Sequence, residues 1–242
     1  IKHIILTGGT DTAQNIAKAN PTTPLSAETG GKNVIILTAS GARDHAIMNI
    51  VTSAFGNAGQ KCSACSLLLV ERSVYEDENF RSKLKDAATS LKTGSVWNAG
   101  NIVGPMITNK NDKLLQAFNL EPGESWLVPP RFIDRREYIL APTVKWGVKP
   151  ESFSFRTELF GPLLSVACIE NLEEGIRLVN GLDYGLTSGL QSLDEKEQKL
   201  WKNSVMAGNL YINRGITGAI VNRQPFGGMK LSAFGGGIKA GG

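Results

Sequence analysis

Short, uninterrupted apolar runs alternate along this chain with stretches of helical periodicity. That alternation constrains the fold more than any other feature. Ile4–Leu6, Val34–Leu37, Leu67–Val70, Leu163–Ile169 and Asn209–Ile212 read as strands, four of them without an alternating polar partner. A strand that is apolar at every position is buried on both faces, as in a parallel sheet covered by helices. Between them, Ile47, Ile50, Val51 and Ala54 recur at helical spacing within Asp44–Ala54. Further helices are expected from about Thr10 to Lys18, over Tyr75–Leu91, Thr108–Phe118, Leu172–Asn180 and Glu195–Trp201, with Pro21 and Pro24 ending the first. Parallel strands need long crossovers, and helices supply them. The expectation is an α/β fold with a mostly parallel sheet flanked by helices.

The chain has 242 residues, of which 41% are hydrophobic and 20% charged, enough for a full core. A net charge of +4 is spread without a basic stripe or aromatic interleaving, which argues against nucleic acid. The mild positive excess suits an anionic small molecule. No apolar run reaches the ~18 residues of a membrane span, and no leader-like segment opens the chain. Three cysteines, Cys62, Cys65 and Cys168, cannot all pair, which favours a reducing compartment, and a cytoplasmic location is expected. Cys62 and Cys65 have CxxC spacing, but zinc takes about four ligands and no second pair exists, so no metal is expected. Cys65 and Cys168 read as small buried apolar groups. Asp194–Lys199 reads as a solvated helix face. Gly-rich loops from Gly215 to Gly242 are long enough to suggest function.

The reactive groups lie in small, turn-forming surroundings. Phe55-Gly56-Asn57-Ala58-Gly59-Gln60-Lys61 leads into Cys62-Ser63, and an apolar strand follows. Glu28 stands before Thr29-Gly30-Gly31, a stretch that lets backbone approach closely. Glu158 precedes Leu159-Phe160-Gly161-Pro162. Oxidation of an aldehyde through a covalent thioester needs a thiolate, an oxyanion site, a base for water and a dinucleotide pocket, and Glu28 is a plausible base. Each alone has an ordinary reading: Cys62 as a packed thiol, Glu28 as a surface carboxylate beside a turn.

In this order the segments resemble the aldehyde dehydrogenase superfamily. The resemblance rests on Ala27-Glu28-Thr29-Gly30-Gly31-Lys32-Asn33, Gly59-Gln60-Lys61-Cys62-Ser63, Glu158-Leu159-Phe160-Gly161-Pro162 and Pro225-Phe226-Gly227-Gly228-Met229-Lys230-Leu231-Ser232, and it runs the length of the chain. It implies Cys62 as nucleophile and Glu28 as the base for the deacylating water. It implies an NAD site, with NADP not excluded. There Glu158 would meet the nicotinamide ribose, Phe160 would pack beside the ring, and Thr7, Gly8, Gly9 and Gly30 would form cofactor-side turns. The fold implied is the family's catalytic domain with a remnant of the dinucleotide-binding domain. Residues 1–30 would be the edge of that domain, 31–224 the thiol domain, and 225–242 a return segment.

Leu120-Glu121-Pro122-Gly123-Glu124-Ser125-Trp126-Leu127 and the segment 213–228, from Asn213-Arg214-Gly215 through Gln224-Pro225-Phe226-Gly227-Gly228, look like the family branch that oxidises L-glutamate γ-semialdehyde, as in bifunctional proline-utilisation proteins. In that branch Gly218 and Ala219 N–H groups, with the Ser63 hydroxyl, would hold the substrate α-carboxylate. The resemblance further implies a small aldehyde substrate, a homo-oligomer, and a proline dehydrogenase domain as a possible fused or separate partner. It also implies an upstream stretch carrying an asparagine oxyanion donor, so this chain by itself is expected to turn over poorly. A dehydrogenase for another small semialdehyde, or a non-catalytic structural or channelling domain of the same fold, would share most of these features.

Overall fold

The computed structural model describes residues 1–108, 110–220 and 222–235. Along the chain, β1 (Ile4–Thr7), α1 (Thr10–Ala19), β2 (Leu25–Glu28), β3 (Asn33–Leu37), α2 (Arg43–Phe55) and β4 (Cys65–Glu71) are followed by α3 (Arg72–Tyr75) and α4 (Glu78–Ser90). Next come α5 (Asp112–Gln116), β5 (Ser125–Val128), β6 (Phe132–Asp134), β7 (Ile139–Leu140), β8 (Thr143–Trp146), α6 (Phe153–Arg156), β9 (Leu163–Ile169) and α7 (Leu172–Asn180). The last elements are β10 (Tyr184–Gly185), β11 (Thr187–Gln191), α8 (Glu195–Ser204), β12 (Asn209–Ile212), β13 (Met229–Lys230) and β14 (Ala233–Phe234).

The main sheet has seven strands in the order β12-β11-β3-β4-β9-β8-β5. All neighbours run parallel except β5, which is antiparallel to β8. Burial on both faces explains the apolar runs of β3, β4 and β9; β1, also expected to be buried, lies in a small sheet instead and leaves Ile5 exposed. Ile35, Leu37, Leu68 and Val70 face one core with α2 and α4, while Val34, Ile36, Leu67 and Leu69 face a second core with α7 and α8. Side chains alternate across a strand, so each run of four serves both cores. A second, three-stranded sheet joins β1, β2 and β14; β1 and β2 are parallel, and β14 is antiparallel to β2 with Ala233 opposite Glu28.

Several elements differ from the sequence expectation. Tyr75–Leu91 is two helices rather than one, because the Asp77 side chain accepts from the Asn79 N–H and starts α4 afresh. The helix expected over Thr108–Phe118 is only α5, capped by the Asn111 carboxamide, which accepts from the Leu114 N–H. Glu28 ends a strand, β2, and the glycine turn begins after it. The central strand β11 was not legible, since Thr187, Ser188, Gly189 and Gln191 lack an apolar pattern. Glu197 does not lie on a solvated face. Its Oε2 accepts from the Thr38, Ser40 and Ser192 hydroxyls at 2.7, 2.8 and 2.5 Å. Cys168 is only half-buried, whereas Cys65 is enclosed. Of the Gly-rich loops, residues 236–242 lie outside the described residues.

At the far edge of the sheet, Lys145 and Glu124 form an ion pair sealed from solvent. Lys145 Nζ lies 2.8 Å from Glu124 Oε2, with side-chain exposures of 1% and 0%. The ammonium also donates to the Asn119 carbonyl at 2.8 Å and sits 5.5 Å from the Trp126 ring centroid. The same Oε2 accepts from the Glu121 N–H. Removing one partner leaves a buried charge uncompensated. Lys145→Ala is therefore expected to lower stability by about 3–5 kcal/mol, read from the urea unfolding midpoint. A loss below 1 kcal/mol would show that water reaches Glu124.

Candidate active site

Cys62 lies on the wall between two cavities. One, of about 530 Å³, is lined by Thr7, Gly8, Gly9, Glu28, Gly30, Cys62, Asn111, Lys113, Glu158, Leu159 and Phe160. The other, of about 400 Å³, is lined by Lys61, Cys62, Ser63, Gly218, Ala219, Ile220, Gln224 and Phe226. The eleven residues singled out from sequence divide between these spaces. Those expected on the cofactor side, together with Glu28, line the first. Ser63, Gly218 and Ala219 line the second.

The thiol loop is hung from the sheet by one buried amide. Asn33, the first residue of β3, donates from Nδ2 to the Cys62 carbonyl at 2.7 Å and to the Ala64 carbonyl at 2.9 Å. Its Oδ1 accepts from the Thr187 N–H of β11 at 3.0 Å. The Thr187 hydroxyl donates to the Ser63 carbonyl at 3.4 Å. A side chain with three of its hydrogen bonds made in the interior has little freedom to move.

Glu28 is buried at the C-terminal end of β2. Its carbonyl accepts from the Gly8 N–H, and the next residue, Thr29, donates from its N–H to the Ser232 carbonyl and from its hydroxyl to the Leu231 carbonyl. The Ser232 hydroxyl in turn accepts from the Gly185 N–H. The segment Leu231–Ser232 thus grips the turn behind the carboxylate.

Glu158 reaches the same turn from the opposite side. The Gly31 N–H donates to Glu158 Oε1 at 2.9 Å. Gly30 has φ +99°, and a Cβ there would stand 2.5 Å from Glu158 Oε2. Only glycine accommodates both that dihedral and that carboxylate. Burial pushes the Glu158 carboxyl up, while the Gly31 N–H, Lys113 and Lys32 pull it down. Lys32 is enclosed, donates to the Ser66 carbonyl at 3.3 Å, and is lowered to about 7 by desolvation.

The thiol is the electrostatic surprise. Burial raises the Cys62 pKa, the Glu28 carboxylate raises it further, and the backbone N–H groups of Ser63 and Cys62 act against both. A negative carboxylate disfavours a thiolate, so burial and Glu28 together favour the protonated form of the Cys62 thiol. Cys65 is pushed to about 12 by desolvation, which makes it inert. Among the described residues there is no group of three or more His, Cys, Asp or Glu placed to hold a metal, and no helix long and apolar enough to cross a membrane.

Sequence reasoning passed over Asn33, Lys113 and Asn111. Asn33 was within a quoted motif, but only the tertiary contact with Cys62 and Thr187 reveals its task. Lys113 gives the larger cavity its positive charge, and nothing in its local sequence marks it. The helix N-terminus at Gly9 carries no side-chain cap, as a phosphate site would need, although Asp11 puts a negative charge in the first turn of α1.

Comparison with known proteins places these features in a family. The aldehyde dehydrogenase family matches residues 1–242. A curated 1-pyrroline-5-carboxylate dehydrogenase from Staphylococcus haemolyticus is 36% identical over 210 residues, covering 85% of this chain and 40% of that protein. The structure of proline utilization A from Corynebacterium freiburgense superposes with a TM-score of 0.96 at 43% identity, over 100% of this chain and 25% of that one. A Thermus 1-pyrroline-5-carboxylate dehydrogenase with bound NAD gives a TM-score of 0.88 at 32% identity, over 97% of this chain and 47% of that one. The chain therefore spans less than half the length of these relatives.

The site makes one electrostatic prediction of its own. Glu28→Gln removes the charge that raises the thiol, so the pH profile of Cys62 alkylation should move to lower pH, with faster reaction at pH 8 than in the unsubstituted protein. Mass-resolved iodoacetamide labelling reads this at Cys62 alone. A profile that stays put or moves upward would contradict the coupling.

Proposed function

The chain belongs to the aldehyde dehydrogenase family, and on that premise we propose that it carries the thiol half of an NAD-dependent dehydrogenase converting L-glutamate γ-semialdehyde, the open form of 1-pyrroline-5-carboxylate, to L-glutamate. The observation that carries this reading is the shared wall. Cys62 faces a cavity lined by Glu158, Lys113 and Phe160 on one side and a cavity lined by Ser63, Gly218 and Ala219 on the other. A nucleophile that must meet an aldehyde and a hydride acceptor at once needs that position.

The larger cavity fits the nicotinamide end of NAD. The Gly30 turn leaves open the space that a Cβ would fill beside Glu158, a carboxylate suits ribose hydroxyls, and Phe160 offers an aromatic face. Glu158, Lys113 and Phe160 would hold that end, and Thr7, Gly8 and Gly9 would lie toward its phosphates. When bound, the nicotinamide accepts the hydride that leaves the aldehyde carbon. The smaller cavity would take the substrate α-carboxylate on the Gly218 and Ala219 N–H groups and the Ser63 hydroxyl, with Lys61 nearby.

The chain's own residues then act in order. Glu28 accepts the thiol proton, so the thiolate forms beside a neutral acid rather than beside a second negative charge. The Cys62 sulfur bonds the aldehyde carbon, and the carbonyl electron pair moves to oxygen beside the Cys62 N–H. Loss of hydride leaves a thioester on Cys62. After that proton has passed to solvent, Glu28 draws a proton from a water molecule whose oxygen bonds the thioester carbon. The C–S bond breaks, glutamate leaves, and the sulfur regains a proton.

The same reading assigns residues 1–30 to the edge of the dinucleotide-binding domain, 31–224 to the thiol domain and 225–242 to a return segment. It places the protein in proline catabolism in the cytoplasm, as a homo-oligomer, with a proline dehydrogenase domain as a fused or separate partner.

The test is NADH formation from 1-pyrroline-5-carboxylate by the full-length protein. Cys62→Ala should lower the rate by at least about 10³-fold, and Glu28→Gln by about 10²–10⁴-fold. A robust rate that survives loss of Cys62 would refute the covalent route. A Cys62-dependent rate with succinic semialdehyde but none with this substrate would refute the substrate.

A further inference from the structure

Gln60 stands two residues before the nucleophile and is not among the residues that line either cavity. Its carboxamide reaches two other parts of the chain. Nε2 donates to the Phe160 carbonyl at 3.3 Å, and Oε1 accepts from the Ile107 N–H at 3.0 Å. Its main chain is tied as well: the Gln60 N–H donates to the Asn57 carbonyl at 3.0 Å, and Asn57 Nδ2 donates to the Gln60 carbonyl at 3.1 Å.

Both ends of this link have unusual backbones. Asn57, Ala58 and Gly59 are left-handed in succession, at φ +57°, +53° and +67°. Phe160 is left-handed too, at φ +46°. L-residues other than glycine leave that region readily unless their surroundings hold them. Asn111 Nδ2 supports the same turn, donating to the Leu159 carbonyl at 2.7 Å and to the Phe160 carbonyl at 3.5 Å. Gly59 packs so closely that a Cβ would stand 2.4 Å from the Gly161 carbonyl. The thiol loop and the Glu158–Phe160 turn are therefore in contact, and the Gln60 carboxamide bonds across that contact.

Resting on the function proposed above, we propose that Gln60 is a positioning residue for hydride transfer: it holds the Cys62 loop and the Phe160 turn in one register, so that the carbon on the sulfur faces the hydride acceptor. The chemistry of an amide is specific here, because one side chain must donate to a carbonyl and accept from an N–H. Glutamate keeps the acceptor but sets a carboxylate against the Phe160 carbonyl. Asparagine is one methylene too short to span both. Neither change touches the hydrogen bonds from Asn33 that hang the thiol loop, so the sulfur keeps its own surroundings.

The experiment separates register from thiol reactivity in the full-length protein. Gln60→Glu and Gln60→Ala are compared with the unsubstituted enzyme for NADH formation and for iodoacetamide alkylation of Cys62. Alkylation needs the thiolate and no hydride acceptor. The expected result is a fall in kcat for NADH formation of about 10- to 100-fold, as for an ångström-scale misplacement. Alkylation of Cys62 should stay within about twofold, since it follows the thiolate fraction. Equal falls in both rates would overturn the inference, because Gln60 would then merely shape the thiol loop. Unchanged NADH formation beside a reactive Cys62 would overturn it too, and would leave the proposed function standing. A Cys62 in the unsubstituted enzyme no more reactive than Cys168 would overturn the thiol chemistry and this inference with it.

Discussion

The Asn33 carboxamide is the interaction on which the site depends. It is buried at the head of β3, and it joins the loop before β4 to the start of β11 by three hydrogen bonds. Parallel neighbours in a sheet do not bond at their loops, so something else must set where a loop sits relative to the next strand. Here one side chain does so, and Cys62 takes its position from it. An unsatisfied amide in that place would be costly. The positions of β3, the thiol loop and β11 are thereby coupled, and the second sheet is brought to them by the grip of Leu231 and Ser232 on Thr29.

Charge is arranged so that the two carboxylates differ. Glu158 is half-buried but has the Gly31 N–H, Lys113 and Lys32 to favour ionisation. Glu28 lies close enough to Cys62 to raise the thiol. A sulfur that is protonated at rest becomes a nucleophile when a neighbouring base takes its proton. The glycine turn between the carboxylates lets both approach one short stretch of backbone, which no residue with a Cβ at position 30 would permit.

Much of the fold could be read from periodicity. The apolar strands and the helices over 43–55 and 172–180 announce themselves because burial selects one residue class at every position or at every third and fourth. Elements that owe their form to a single cap or to tertiary pairing were harder. The break before Glu78 depends on one carboxylate at Asp77, the short helix at Asp112 on one amide at Asn111, and β11 on neighbours β3 and β12 that bury its polar residues. Glu197 looked solvated because charge usually is; three hydroxyls from two other loops draw it inward.

The order and kind of reactive groups are properties of the sequence: a thiol after a glycine-rich turn, a carboxylate before Thr-Gly-Gly, another before Leu-Phe-Gly-Pro. They define the chemistry because a side chain's reactivity class is covalent and local. Which cavity each group faces, the upward shift of the Cys62 pKa, the enclosure of Lys32 and the bridging of two strained turns by Gln60 were decided only by the tertiary structure. Those properties depend on distance, desolvation and dihedral angle, and these arise when segments up to two hundred residues apart, such as Thr29 and Leu231, are packed against each other.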